Sequence, residues 1–201
     1  TLFSEILSTA TTSVVFNSGL VKKVYFPREL FPLAATGAAV VNFGFQLVIL
    51  LIADVIAGSA TGKWPDPRYL PLPVLGLIML VVFATACGLL LAAANVYLRD
   101  VQHLITVVLM LWFWVTPIIY NTSRVSKTLP NALYQIYLLN PMASAVFSFQ
   151  KFFWPQGAGS GYEFTGNVYG RLAVLLVVSL AFLWFAQRVF ARAQGNFAQE
   201  L

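Results

Sequence analysis

Residues 30–53 run 24 positions without a charged side chain, and residues 69–98 run 30. A helix needs about 20 apolar residues to cross a hydrocarbon core of roughly 30 Å, so each stretch is long enough for a transmembrane span. Residues 101–123 add a third such stretch if His103 is neutral. Residues 172–187 are short for a crossing, but Arg171 and Arg188 can snorkel from their ends. Residues 1–18 carry only Glu5 and form most of another span. The chain therefore reads as an all-α integral membrane protein with about five crossings. Its composition agrees, with 9% charged residues against about 25% in soluble domains.

A sixth uncharged run, 128–150, is of a different kind. It contains Pro130, Asn131, Gln135 and the pair Asn140-Pro141, and the residue before a proline disfavours helix. Two short helices broken at Asn140-Pro141, entering the membrane face without crossing, fit it better than a span. Segments 19–29, 97–103 and 188–201 then share one side, and 59–71 and 121–170 the other. Each side holds six Lys or Arg, with Arg171 counted at the edge of the second. On the first side they are denser and abut helix ends, where the positive-inside rule operates, so that side is expected to be cytoplasmic. "GKWPDPRYLPLP" (62–73) reads as an external turn with Trp64 and Tyr69 at the interface.

Several chemistries find no footing. The net charge of +5 comes from basic residues at the edges of apolar runs, which suits lipid headgroups and not nucleic acid. A lone Cys87 excludes an internal disulfide, and a lone His103 offers no metal-ligand set. "GSATGKW" (58–64) has three residues between its glycines and Trp64 after Lys63, where a phosphate loop needs four and a Ser or Thr. If ATP is used, another subunit binds it. An ion-coupled carrier needs titratable groups in mid-membrane, and only Glu5 and Asp54 are candidates. A membrane glycosyltransferase needs a carboxylate-rich loop, whereas 121–170 contains only Glu163.

The candidate functional residues fall into three groups. "GLVKKVYFPRELFPLA" (19–34) crowds Lys22, Lys23, Arg28 and Glu29 beside Pro27 and Pro32, which mark a helix-to-helix joint. "NVYLRDVQH" (95–103) places Arg99 and Asp100 at a second break, as an ion pair or cap, or as a contact to a cytoplasmic partner. "LWFWVTPIIY" (111–120) holds Trp112, Phe113, Trp114 and Tyr120, which suit an interfacial aromatic belt or a sugar-stacking surface. Glu5 is either a channel-facing acceptor for substrate hydroxyls or a headgroup-level charge. Asn42 and Gln46 share one helix face, and Ala84, Gly88 and Ala92 have the spacing of close helix packing.

Three stretches, "TLFSEILSTATTSVVFNSGLVKKVYFPRELFPLA", "NVYLRDVQHLITVVLMLWFWVTPIIY" and "LLNPMASAVFSFQ", resemble the membrane subunit of ABC-2-type exporters. The polysaccharide exporters, for O-antigen, teichoic acid or galactan, are the subgroup that it resembles most. The order and spacing match along essentially the whole chain. The resemblance implies a single six-span transmembrane domain over 1–201, with 1–18 as the second span, 30–57 the third, 72–98 the fourth, 103–120 the fifth and 171–190 the sixth. External gate helices would occupy 128–150, and an interface helix and first span would precede residue 1. It further implies a bacterial inner-membrane permease without catalytic residues or cofactor of its own. Two nucleotide-binding ATPase subunits would carry ATP and Mg, and a second permease copy would complete a channel for a lipid-linked glycan. Lys22, Lys23, Phe26, Pro27, Arg28 and Glu29, with Arg99 and Asp100, would meet the ATPase. Glu5, Trp112, Phe113, Trp114 and Tyr120 would face the substrate. A sister exporter moving a drug or lipid would share this fold.

Overall fold

A computed structural model describes residues 1–23, 27–62, 64–118, 130, 134, 137–153 and 168–197, without the side chains of Lys22 and Lys23. The described residues are helical or in turns, with no strand among them. Among the described residues seven α-helices follow in order: α1 (Leu2–Phe16), α2 (Ser18–Lys23), α3 (Leu30–Thr61), α4 (Pro71–Tyr97), α5 (Val101–Val115), α6 (Pro141–Phe153) and α7 (Val168–Ala193). Short 3-10 turns occupy Pro67–Tyr69 and Gln194–Asn196. Three helices, α3, α4 and α7, are long and apolar enough to cross a membrane, while α1 and α5 are shorter apolar helices.

The helix ends explain where the expected boundaries move. Helix α1 ends at Phe16, short of residue 18, where the Asn17 side chain donates to Ser13 O (2.7 Å) in competition with the backbone. Asn17 O then accepts from Leu20 N and Val21 N, starting the separate α2. At its far end α3 runs beyond residue 57 to Thr61, where Gly62 closes it with φ +70 and its N–H bonded to Gly58 O (2.8 Å). That left-handed closure suits glycine. It also puts Gly58–Thr61 at a helix C-terminus, the opposite polarity from an anion-binding loop. Similarly α5 stops at Val115, short of residue 120, because Pro117 disfavours helix at Thr116. The break at Asn140-Pro141 is present: Asn140 Oδ1 accepts from Met142 N (3.0 Å) and Pro141 opens α6. Most of 128–140 lies outside the described residues.

The chain divides into two compact units. The first comprises Thr1–Phe45, Val81–Leu111 and Val178–Leu201, and the second Gln46–Leu80 and Trp112–Val177. In the first, the second half of α4 is the central element. Ala84, Ala86, Leu89, Ala92, Ala93 and Val96 of α4 are buried, the last four of them and Ala86 in a cluster with Val14, Val21, Ala186, Phe190 and Phe197. Small residues let the backbones approach: a methyl group at Gly88 would sit 2.9 Å from Ala10 Cβ of α1. The expected packing role of Ala84, Gly88 and Ala92 is therefore the observed one. Between apolar helices in lipid such van der Waals contact replaces the hydrophobic drive. Phe83 extends it sideways, stacked on Phe3 (6.1 Å) and tilted against Phe182 (5.8 Å).

The second unit has its own core, in which Tyr134 and Leu138 pack with Ala143 and Phe147 of α6. A methyl group at Gly76 of α4 would collide with Ser148 Oγ, so α6 lies close against that helix. Lys151 sits over the Tyr69 ring (4.9 Å), and Tyr169 donates to Arg68 O (3.4 Å). Asp66 Oδ1 accepts from Arg68 N (3.0 Å) and so shapes the turn before α4.

Gly88→Ala is expected to destabilise the fold by about 1–3 kcal/mol through overpacking against Ala10, and adding Ala10→Gly to restore most of it. Thermal unfolding in detergent measures both changes. A midpoint unaffected by Gly88→Ala would exclude this close approach.

Candidate functional site

The first feature is a polar face on α1. Glu5, Ser8, Thr9 and Thr12 follow at helical spacing, with Ser8 and Thr9 exposed and Glu5 and Thr12 half-buried. The hydroxyls fold back on their own helix: Thr9 Oγ1 donates to Glu5 O (2.6 Å) and Thr12 Oγ1 to Ser8 O (3.2 Å). The Glu5 carboxylate is held from α3, where Asn42 Nδ2 donates to Oε1 at 2.6 Å. Asn42 stands at the centre of the uncharged 30–53 stretch, ~18 Å along the helix from Leu30 at 1.5 Å per residue. Glu5 therefore meets α3 near the middle of its uncharged stretch. A carboxylate there needs polar company, and the Asn42 amide supplies it. Asp54, by contrast, lies within the last turns of α3 and is half-buried.

The second feature is the joint between α2 and α3. Lys22 and Lys23 end α2, and Phe26 lies outside the described residues. Pro27 O, Arg28 O and Glu29 O accept from Leu30, Phe31 and Leu33 N, so the joint supplies the first turn of α3. Arg28 and Glu29 are half-buried. The Arg28 guanidinium donates to Gln194 O, and Glu29 Oε2 accepts from Gln187 Nε2 (3.3 Å). Both residues thus turn toward the end of α7.

At the second break Arg99 and Asp100 are exposed, and the Asp100 carbonyl accepts from His103 N and Leu104 N (both 3.0 Å). The buried anchor of this break is Asn95, 1% exposed. Its Nδ2 donates to Thr11 O of α1 (3.0 Å) and its Oδ1 accepts from Gln102 N in the first turn of α5 (3.2 Å). One amide therefore ties α1, α4 and α5. The signal was present in the sequence: an uncharged amide inside a 30-residue apolar stretch has to find partners within the protein.

The third feature is the end of α5. Trp112 is half-buried, and its carbonyl accepts from Thr116 Oγ1 (2.9 Å). Phe113 and Trp114 are 46% and 62% exposed and meet edge to face at 6.1 Å. The three aromatics thus separate into one inward and two outward rings, and Tyr120 lies outside the described residues. Glu5 belongs to the first unit and the aromatic run to the second.

A family model for ABC-2 type transporters matches residues 1–154. The chain belongs to that family. It is a permease of the ABC exporter class, a multi-pass protein of the inner membrane. Membership implies an ATPase partner in the exporter. An "O-antigen export system permease protein RfbA" of Myxococcus xanthus is 31% identical over 199 residues, covering 99% of this chain and 71% of the relative. Two proteins of the same name from Klebsiella pneumoniae are 24% identical over 202 residues, each covering 99% of this chain and 70% of the relative.

Asn95→Leu is expected to destabilise by about 1–3 kcal/mol, since it orphans the Gln102 amide and one contact to Thr11. Asn95→Asp, which would set a carboxylate in the same buried place against the Thr11 carbonyl, should cost at least as much. Unfolding midpoints rank the three, and amide exchange at Gln102 should quicken in Asn95→Leu. Unaltered exchange there would remove Asn95 from the α5 cap.

Proposed function

We propose that the chain is the permease subunit of an ATP-driven exporter that moves a lipid-linked polysaccharide across the cytoplasmic membrane. The observation that carries the substrate class is likeness to O-antigen export permeases across 99% of the chain. ATP and Mg are bound on two copies of a separate nucleotide-binding subunit, and a second permease copy completes the channel. In this reading residues 18–29 and the 97–103 break face the cytoplasm, consistent with their density of basic residues.

The polar face of α1 supports a route for a hydroxyl-rich chain. Sugar hydroxyls both donate and accept, and Glu5 with Asn42 offers an acceptor and a donor side by side at mid-span depth. A row of serine and threonine hydroxyls continues from them. Phe113 and Trp114 offer flat exposed rings for the apolar faces of sugar rings, with Trp112 and Tyr120 beside them in sequence. Lys22 and Lys23, at the end of α2, are charges suited to meet the ATPase, and Arg99 and Asp100 are exposed at the next break.

Reconstituting the permease with its ATPase in vesicles loaded with lipid-linked glycan tests the assignment. ATP-dependent delivery of glycan to the far side is expected; delivery of a lipid or drug alone overturns the glycan reading. Glu5→Leu should lower glycan delivery several-fold at normal expression, and Glu5→Gln less. Trp114→Ala and Trp112→Ala should also lower it, and wild-type delivery from both returns the run to an interfacial belt. Charge reversal of Lys22 and Lys23 should reduce ATPase association while membrane insertion survives.

A further inference from the structure

We infer that Arg28 and Glu29 are positioning residues that clamp the α2–α3 joint to the C-terminal end of α7, so that joint, α4 end and α7 end move as one body. The inference rests on the coupling role proposed above and assigns these two charges inward, not to the partner's surface.

The last carbonyls of a helix lack intrahelical donors and carry the negative end of its dipole. Side chains from other segments reach one such carbonyl at the end of α7 and one in the 3-10 turn that follows it, Gln194 O, which also accepts from Phe197 N. Tyr97, the last residue of α4, donates its hydroxyl to Ala193 O (3.0 Å), and Arg28 donates to Gln194 O. A cation is the favoured partner at that end. Glu29 makes the other tie, accepting from Gln187 Nε2 (3.3 Å). Positions 187 and 194 are ~10 Å apart along a helix at 1.5 Å per residue. One tie would leave a pivot, and two at that separation fix the joint's orientation on α7.

Packing reinforces the polar ties. Phe197, fully buried, stands edge-on to Phe190 (5.4 Å) and to Tyr97 (6.0 Å). It shares one core with Val21 of α2, Val14 of α1, and Ala93 and Val96 of α4. Close-packed interiors transmit displacement with little compression. A push on α2 therefore moves Phe197, and with it the ends of α4 and α7.

A clamp and a docking charge give opposite results in one set of variants. In the complete exporter, glycan delivered per ATP hydrolysed is measured alongside the ATPase subunit that co-purifies. The clamp predicts that Gln187→Leu and Glu29→Leu each lower delivery per ATP several-fold with subunit binding unchanged. The double variant should be no worse than either single. Glu29→Gln keeps an oxygen acceptor and should match wild type, and Arg28→Lys should retain more than Arg28→Ala. Wild-type delivery from Gln187→Leu, or subunit loss in Glu29→Gln, overturns the clamp. If Gln187→Leu fails to assemble, Glu29→Cys with Gln187→Cys in a Cys87→Ala background replaces it. Joining those thiols with a short crosslinker should leave turnover intact, because parts of one body need not separate; a block overturns the clamp. Should the wild-type complex hydrolyse ATP yet move no glycan, the transport reading fails alone, and ATP turnover of the crosslinked complex still decides the clamp.

Discussion

Asn95 is the residue on which the first unit's arrangement depends. A buried amide in a bilayer has no water to turn to, so its donor and acceptor must both be met inside the protein. Both are met, by Thr11 O and Gln102 N. The two partners belong to different helices, and the requirement therefore fixes where α1 and the start of α5 lie against α4. The bilayer makes this stringent: apolar side chains gain little by leaving lipid for a neighbouring helix, and the polar contacts carry more of the specificity.

Around that amide the packing is of small residues. The run of alanines with Gly88 on α4 brings α1 close enough that one added methyl would meet Ala10 Cβ at 2.9 Å. Such approach maximises van der Waals contact. Within the first unit the second half of α4 is the centre of the packed core, and Asn42 ties α3 to α1 through Glu5.

Much of this was legible because charge is so costly in lipid. Uncharged runs located the starts of α3, α4 and α5 to within two residues, whereas α3 ends eight residues beyond its run and α5 eight short of its own, and the Asn140-Pro141 break followed from backbone sterics alone. What escaped were local competitions that periodicity does not register. Asn17 ends α1 with its side chain, and Pro117 ends α5 through the residue before it. Asn95 carries no charge to mark it, yet it is buried where Arg99 and Asp100, four and five positions on, are exposed. The partners of Arg28 and Glu29 lie about 160 positions away in the chain, and no local pattern announces a contact at that separation. The direction taken by Trp112, inward where Phe113 and Trp114 turn outward, likewise follows from tertiary packing.

The joint at 18–29 shows why a charge cluster should not be given a single role. All its charged residues satisfy the same sequence rule, density beside a helix end. Geometry divides them. Arg28 and Glu29 are half-buried and engaged with α7, so moving them toward a partner would first break contacts within the chain. Lys22 and Lys23 belong to α2, which is anchored beneath by Val21 in the shared core. A force arriving at α2 in the proposed coupling would therefore meet a packed base. Were α2 the lever of the proposed coupling, rigidity of that base would carry the displacement on to α4 and α7, where a compliant joint would absorb it. In the proposed coupling, Arg28 and Glu29 serve by holding the joint to α7 and Lys22 and Lys23 by meeting the partner, two parts of one mechanical requirement.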